Sequence, residues 1–240
     1  MNASEILQEI AARSVPGLTP ASGWWAVLAL GLAAAAVLLG PVWRLLRLGV
    51  TIVHELGHAL VGVLAGRRFT GFVVSPDMSG HTITVGPRTG PGRVLSAFAG
   101  YPAPAVLGLV LVLVLVARTG WAGTALAVIV AGLLVSLVFT RSFSTVLAVL
   151  GAALGTGAVW WFGGPEVAAI VTLALGVFLL LGAWRHLAVV AHDGGASDDP
   201  GQLARLTPLP AGLWIALMGL VILACTVGAA LLIRPALPLL

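Results

Sequence analysis

The chain has 240 residues, of which 60% are hydrophobic and 8% charged, against about 25% charged in a soluble domain. So few charges cannot cover a water-soluble surface, and the mean hydropathy of +1.11 places most of the chain in lipid. The formal net charge of +4 comes from scattered arginines with no basic run beyond a pair, which excludes a nucleic-acid surface.

Residues 1–20 form a first, polar segment. Glu5, Glu9 and Arg13 deny it the apolar core of a secretory signal. Ser4 to Arg13 predicts a short amphipathic helix with Ile6, Leu7 and Ile10 on one face, suited to a membrane surface. Residues 21–240 show no internal repeat and are expected to form one transmembrane domain. Apolar runs of spanning length occur at 24–41, 45–66, 94–117, 121–139, 143–162, 166–190 and 211–233. The break from Thr140 to Ser142 is short, so the expected count is six to seven helices. Trp24 and Trp25 open the first run, and Trp160 and Trp161 close the fifth, as indole rings favour headgroup boundaries.

Two segments break the apolar pattern. Within residues 67–93, Phe72 to Ser75 and His81 to Val85 are β-prone and flank a turn-like PDMSG. The expected fold class is therefore an all-α polytopic membrane protein with a small membrane-associated β-hairpin after the second run. Residues 191–210 hold Asp193, Asp198 and Asp199, three of the eight acidic residues, just before the last run. The single cysteine, Cys225, allows neither an internal disulfide nor a CxxC metal site.

His54-Glu55-Leu56-Gly57-His58 fits H-E-x-x-H. Residues i and i+4 share a helix face, so both imidazoles can reach one metal ion. Glu55 then lies beside the metal water and can act as general base. Its setting sharpens the match. Glu55 is the only acidic residue in the first five runs, and an ionised residue at mid-membrane costs about 2.5–3.5 kcal/mol on insertion scales. A catalytic zinc needs a third protein ligand, commonly a carboxylate beside a histidine pair. Asp193, Asp198 and Asp199 supply the richest source, while His81, His186 and His192 suit solvated positions near an interface. A metal-binding transporter or an inactive membrane scaffold are the competing readings. The absent repeat and the complete hydrolase motif favour a protease.

These features resemble the site-2 protease family of intramembrane zinc metallopeptidases. The compact actinobacterial branch without a PDZ domain is the closer match. Its late segment reads roughly S-D-A-x-Q-L-A-R-L-T-x-x-P before a tryptophan. Asp198-Asp199-Pro200-Gly201-Gln202-Leu203-Ala204-Arg205-Leu206-Thr207, then Pro210 and Trp214, is similar. The better-known LDG motif is absent; His192-Asp193-Gly194-Gly195 echoes it, and Pro200 replaces a small residue. The resemblance implies Zn2+ on His54, His58 and Asp199, with Asp198 and Asp193 as alternatives, and Glu55 as the catalytic base. It implies a bacterial plasma-membrane enzyme, embedded in the lipid bilayer, that clips membrane proteins, among them single-span regulators such as anti-sigma factors.

A helical substrate must unwind locally before it can be cut, and its freed backbone groups need partners inside the bilayer. The hairpin, with Phe72, Val73, Val74, Thr82, Ile83 and Thr84, is expected to bind it as a strand edge. Seven straight spans would start the second and seventh on opposite sides. The loop bearing Asp199 must then dip into the membrane, or one span must fail to cross.

Overall fold

The computed structural model describes residues 2–14, 22–75, 77, 79–116 and 121–238. Residues 15–20 of the expected N-terminal segment, and Pro76 and Met78 of the expected turn, lie outside them. The helices are α1 (Ala3–Ser14), α2 (Trp24–Leu38), α3 (Gly40–Leu64), α4 (Pro91–Ala99), α5 (Pro102–Val116), α6 (Ala122–Ser136), α7 (Phe143–Phe162), α8 (Gly164–His192), α9 (Asp199–Leu206) and α10 (Ala211–Ile233). Strands β1 (Arg68–Val74) and β2 (Gly80–Val85) separate α3 from α4.

Among the described residues, five helices are long and apolar enough to cross a membrane: α3, α6 with its 3-10 extension, α7, α8 and α10. The pair α4 and α5, bent by 63°, makes a sixth if counted as one span. The protein is thus a multi-pass integral membrane protein. α2 has only 15 residues, short of the about 20 that a straight span needs. It meets α3 at Leu39, where an extended residue precedes Pro41 in the first turn of α3.

The expected run 94–117 is two helices. Pro102 has no backbone N–H to give and disfavours helical geometry at Tyr101, so the helix breaks at Gly100–Tyr101. If the bent pair turns back instead of crossing, α8 ends on the side where α3 begins and the parity conflict disappears. α4 begins beside the end of α3, where a Cβ on Gly92 would lie 2.9 Å from the Ala65 carbonyl oxygen. At the other end, Arg185 of α8 donates to the Val37 carbonyl and its guanidinium lies 4.6 Å from the Trp43 ring centre. The chain therefore leaves α8 on the side where α3 begins.

Helix packing uses small residues, because lipid tails offer apolar side chains the same environment as a neighbouring helix. Gly108 of α5 and Gly176 of α8 meet backbone to backbone: a Cβ on Gly108 would lie 2.5 Å from Gly176 O. This crossing joins α5, α8 and α10 into the main core, with Leu173, Met218 and Ile222 fully buried. Gly23 N–H donates to Ala236 O at 2.7 Å and closes α2 onto the end of α10. Not every tryptophan marks an interface. Trp43 is buried against Phe178, and Trp184 Nε1 donates to Thr226 Oγ1 inside the bundle. On α1, Glu9 pairs with Arg13, whose guanidinium lies over Trp161 at 4.8 Å.

β1 and β2 pair antiparallel, with Phe72 opposite Thr82 and Val74 opposite Gly80. The outer edge of β1 is occupied by the segment joining α6 to α7. Arg141 N–H donates to Phe72 O (3.0 Å), Thr145 Oγ1 accepts from Val74 N–H (2.8 Å), and Ser144 Oγ donates to Val74 O (2.7 Å). Phe72 and Val74 thus aim their backbone groups away from β2. In an antiparallel ladder their partners Thr82 and Gly80 then aim theirs at the outer edge of β2, where no further strand pairs among the described residues.

Candidate active site

The HELGH turn lies in the middle of α3, and its two histidines emerge on one face as the spacing requires. His54 Nε2 and His58 Nε2 are 3.1 Å apart. Asp199, the first residue of α9, brings Oδ2 to 3.2 Å from His54 Nε2 and 3.0 Å from His58 Nε2. Oδ2 is buried and, despite these two approaches, makes no hydrogen bond of good geometry among the described residues. Three donor atoms thus converge on one point with one of them orphaned, which suits a cation. Two imidazole nitrogens and a carboxylate oxygen are a zinc donor set, and a tetrahedral ion with bonds of about 2.0–2.2 Å spaces its ligands about 3.3–3.6 Å apart. The triangle fits after outward shifts of a few tenths of an ångström. Among the described residues, this is the group of three His, Cys, Asp or Glu side chains able to hold a metal.

The surroundings fix each member. His58 Nδ1 lies 2.6 Å from Ser96 O, which accepts its N–H and leaves Nε2 with a free lone pair. Ser96 Oγ returns a hydrogen bond to His58 O at 2.9 Å. The Tyr101 ring stands edge-on to His54 with centroids 4.6 Å apart. Gly100 closes over both imidazoles: a Cβ there would lie 2.4 Å from His58 Nε2 and 2.7 Å from His54 Cε1. Glu55 is 3% exposed. Thr82 Oγ1 donates to its Oε2 at 2.6 Å, and a Cβ on Gly80 would lie 2.0 Å from its Oε1. The carboxylate is therefore pressed against β2.

α9 lies between the spans and delivers Asp199 from a tight turn. Gly194 and Gly195 take φ of +73° and +66°, and Gly201 leaves no room for a Cβ, which would fall 2.1 Å from Ala196 O. Leu203 is fully buried. With its amide oxygen turned toward the guanidinium, Gln202 accepts from Arg93 Nε at 3.0 Å and from its terminal nitrogen at 2.5 Å, tying α9 to α4.

These groups line a polar cavity of about 310 Å3. Asp198 is exposed on its wall, while Asp193 is exposed at the end of α8, apart from the donor triangle, as is His192. His186 also lines the cavity and stands edge-on to Trp43, and His81 lines it from β2. Of the hairpin residues, Phe72 and Val74 are fully buried. Val73 lies opposite His81 in the ladder, Thr84 Oγ1 accepts from Arg67 Nε, and Ile83 is partly exposed. Gly80, Ser96, Gly100, Tyr101, Arg93 and Gln202 join the site without having been singled out from sequence. The Gly100-Tyr101-Pro102 interruption of an apolar run was the signal available for two of them.

Comparison with curated proteins and with solved structures gave no match. The family model described as Peptidase M50B-like matches residues 27–229. With that match across most of its length, this membrane-embedded chain belongs to the Peptidase M50B-like family of metallopeptidases, within the site-2 protease family.

Proposed function

We propose that this membrane metallopeptidase is an intramembrane zinc endopeptidase of the compact type without a PDZ domain, cutting membrane proteins within or near their transmembrane helices. The observation that carries the reading is the convergence of His54, His58 and Asp199 beside the buried Glu55 carboxylate. Zinc bound there supplies a Lewis acid and a more acidic water. Glu55 takes a proton from the attacking water and returns it to the amine nitrogen that leaves. Thr82 and Gly80 hold that carboxylate in one place.

The substrate segment has to be extended to be cut, and the outer edge of β2 supports a role in holding it. Gly80 and Thr82 offer backbone donors and acceptors to an added strand, and the same two residues touch Glu55. Pairing there would lay the scissile bond beside the general base. The edge of β1 is already taken by the α6–α7 segment. Of the hairpin residues, Thr82, Ile83 and Thr84 on β2 therefore meet substrate, and Phe72, Val73 and Val74 back them. Single-span regulatory proteins of the bacterial plasma membrane, such as anti-sigma factors, are the proposed substrate class.

Co-expression of the Glu55→Gln variant with a single-span membrane substrate tests this. The variant should keep one zinc per chain and lose cleavage, while chelation should silence the wild type and added zinc restore it. Zinc-dependent cleavage by Glu55→Gln would refute the mechanism. Metal flux across vesicles without cleavage would favour a transporter.

A further inference from the structure

We infer that Tyr101 is a catalytic residue whose phenol donates a hydrogen bond to the carbonyl oxygen of the scissile bond as negative charge develops on it. The inference rests on the peptidase reading above.

Peptide hydrolysis needs a donor at that oxygen. Water oxygen bonds to the carbonyl carbon, the π pair moves onto the carbonyl oxygen, and Glu55 takes the water proton. The C–N bond then breaks as the C=O re-forms, and the proton on Glu55 passes to the amine nitrogen. Between these events the oxygen carries a full charge inside a low-dielectric site, where a preorganised donor counts most.

Several side chains lining the cavity already donate elsewhere. Thr51 Oγ1 donates to Arg47 O, Ser79 Oγ to Asp77 Oδ1, Thr82 Oγ1 to Glu55, and Ser96 Oγ to His58 O. Arg93 is held by Gln202, and Arg205 donates to Ala196 O. Tyr101 differs. It is 7% exposed, it lines the cavity, and its hydroxyl has no hydrogen-bond partner among the described residues. A buried phenol usually finds an acceptor, because an unpaired one costs free energy. Tyr101 is also the one tyrosine in the chain.

Its position suits the role. The ring packs on His54, one of the three convergent donors, and Tyr101 follows Gly100, which closes over both imidazoles. The break before Pro102 sets it at the bend between α4 and α5, lining the same cavity as Glu55 and the β2 residues Gly80 and Thr82. Base and oxyanion donor would then line one cavity, within reach of one bound peptide bond. His186 also lines the cavity, but its ring is turned edge-on to Trp43.

The test compares full-length wild type, Tyr101→Phe, Tyr101→Ala and Glu55→Gln in liposomes with a single-span substrate. It measures bound zinc, KM, kcat and affinity for a phosphinic-peptide inhibitor, whose tetrahedral oxyanion mimics the reacting centre. Tyr101→Phe keeps the ring against His54. It should retain one zinc and a KM within about twofold, while kcat falls by about 10²–10³, the usual cost of one oxyanion donor. Affinity for the phosphinate should fall by a similar factor. Tyr101→Ala should also lose zinc affinity, since it removes the packing. Wild-type kcat in Tyr101→Phe, or loss of its zinc along with its activity, would overturn the proposal. Cleavage by Glu55→Gln equal to wild type would instead overturn the peptidase reading beneath it.

Discussion

Thr82 Oγ1 shares its one proton between two oxygens of Glu55, lying 2.6 Å from the carboxylate Oε2 and 2.9 Å from the peptide oxygen. One hydroxyl thus pins both the side chain and the backbone of the residue placed as general base. Removing it should leave the fold intact, since Thr82 is only half-buried, but should free the carboxylate to rotate. Thr82→Val is expected to lower kcat by about 10–100-fold, the scale found for lost outer-shell partners, with zinc content unchanged. Thr82→Ser keeps the hydroxyl and should restore most of the rate. Steady-state cleavage with zinc analysis checks this, and equal rates for Val and Ser would show that the hydrogen bond does not position the base.

Three aspartates near α9 compete for the metal, and geometry separates them. Asp199 alone brings an oxygen within 3.2 Å of both histidine nitrogens. Asp199→Ala should abolish zinc binding, whereas Asp198→Ala and Asp193→Ala should bind one zinc with affinity within about threefold of wild type. Equilibrium dialysis of the purified chain measures all three. Retention of zinc by Asp199→Ala would remove it from the ligand set.

Gly100 lies so close to the imidazoles that no side chain fits. A methyl group would sit 2.4 Å from His58 Nε2, inside the space a bound ion would share. Gly100→Ala is therefore expected to weaken zinc binding by tenfold or more, on the order of 1.4 kcal/mol. Gly132→Ala on α6, where a Cβ meets nothing within 4 Å, is the control and should bind as wild type. Zinc titration of the two variants side by side makes the comparison.

Much of this site was legible in the sequence, and the reason is chemical. Histidine and glutamate have no bland purpose inside a lipid-embedded helix, so HELGH stood out. The hairpin was legible for a similar reason: β-prone runs around a turn interrupt an otherwise helical chain. Asp199 followed from the resemblance of its segment. What stayed hidden depended on burial. In lipid, a residue facing the bilayer and one facing a neighbouring helix are equally apolar. Nothing in the sequence therefore set the buried Leu173 and Met218 apart from the exposed Leu220 and Leu231. Trp43 and Trp184, beside the ends of apolar runs, read as headgroup-boundary markers and are instead packed inside the bundle. Tryptophan suits both a headgroup boundary and an internal hydrogen bond, and Trp184 takes the latter with Thr226. The bend at Gly100 was the costliest omission, because it sets Tyr101 and Ser96 against the histidines.

The tie between Arg93 and Gln202 bears on how Asp199 reaches the membrane interior. α9 has eight residues, too few to hold itself helical in isolation. Its place therefore depends on Leu203 in the core and on the guanidinium of α4. Gln202→Ala would leave the Arg93 guanidinium unpaired on that side and α9 freer to move. Because only the ligand on α9 would loosen, zinc affinity should fall by about 10–100-fold, while His54 and His58 keep their spacing on α3. Gln202→Glu still accepts from Arg93 and should bind zinc nearly as wild type. The double variant Arg93→Leu, Gln202→Leu separates the two causes: it removes the polar tie without stranding a charge. If α9 is held mainly by Leu203, the double variant should regain wild-type affinity. If the polar tie positions Asp199, the loss should persist, and that is the expected outcome.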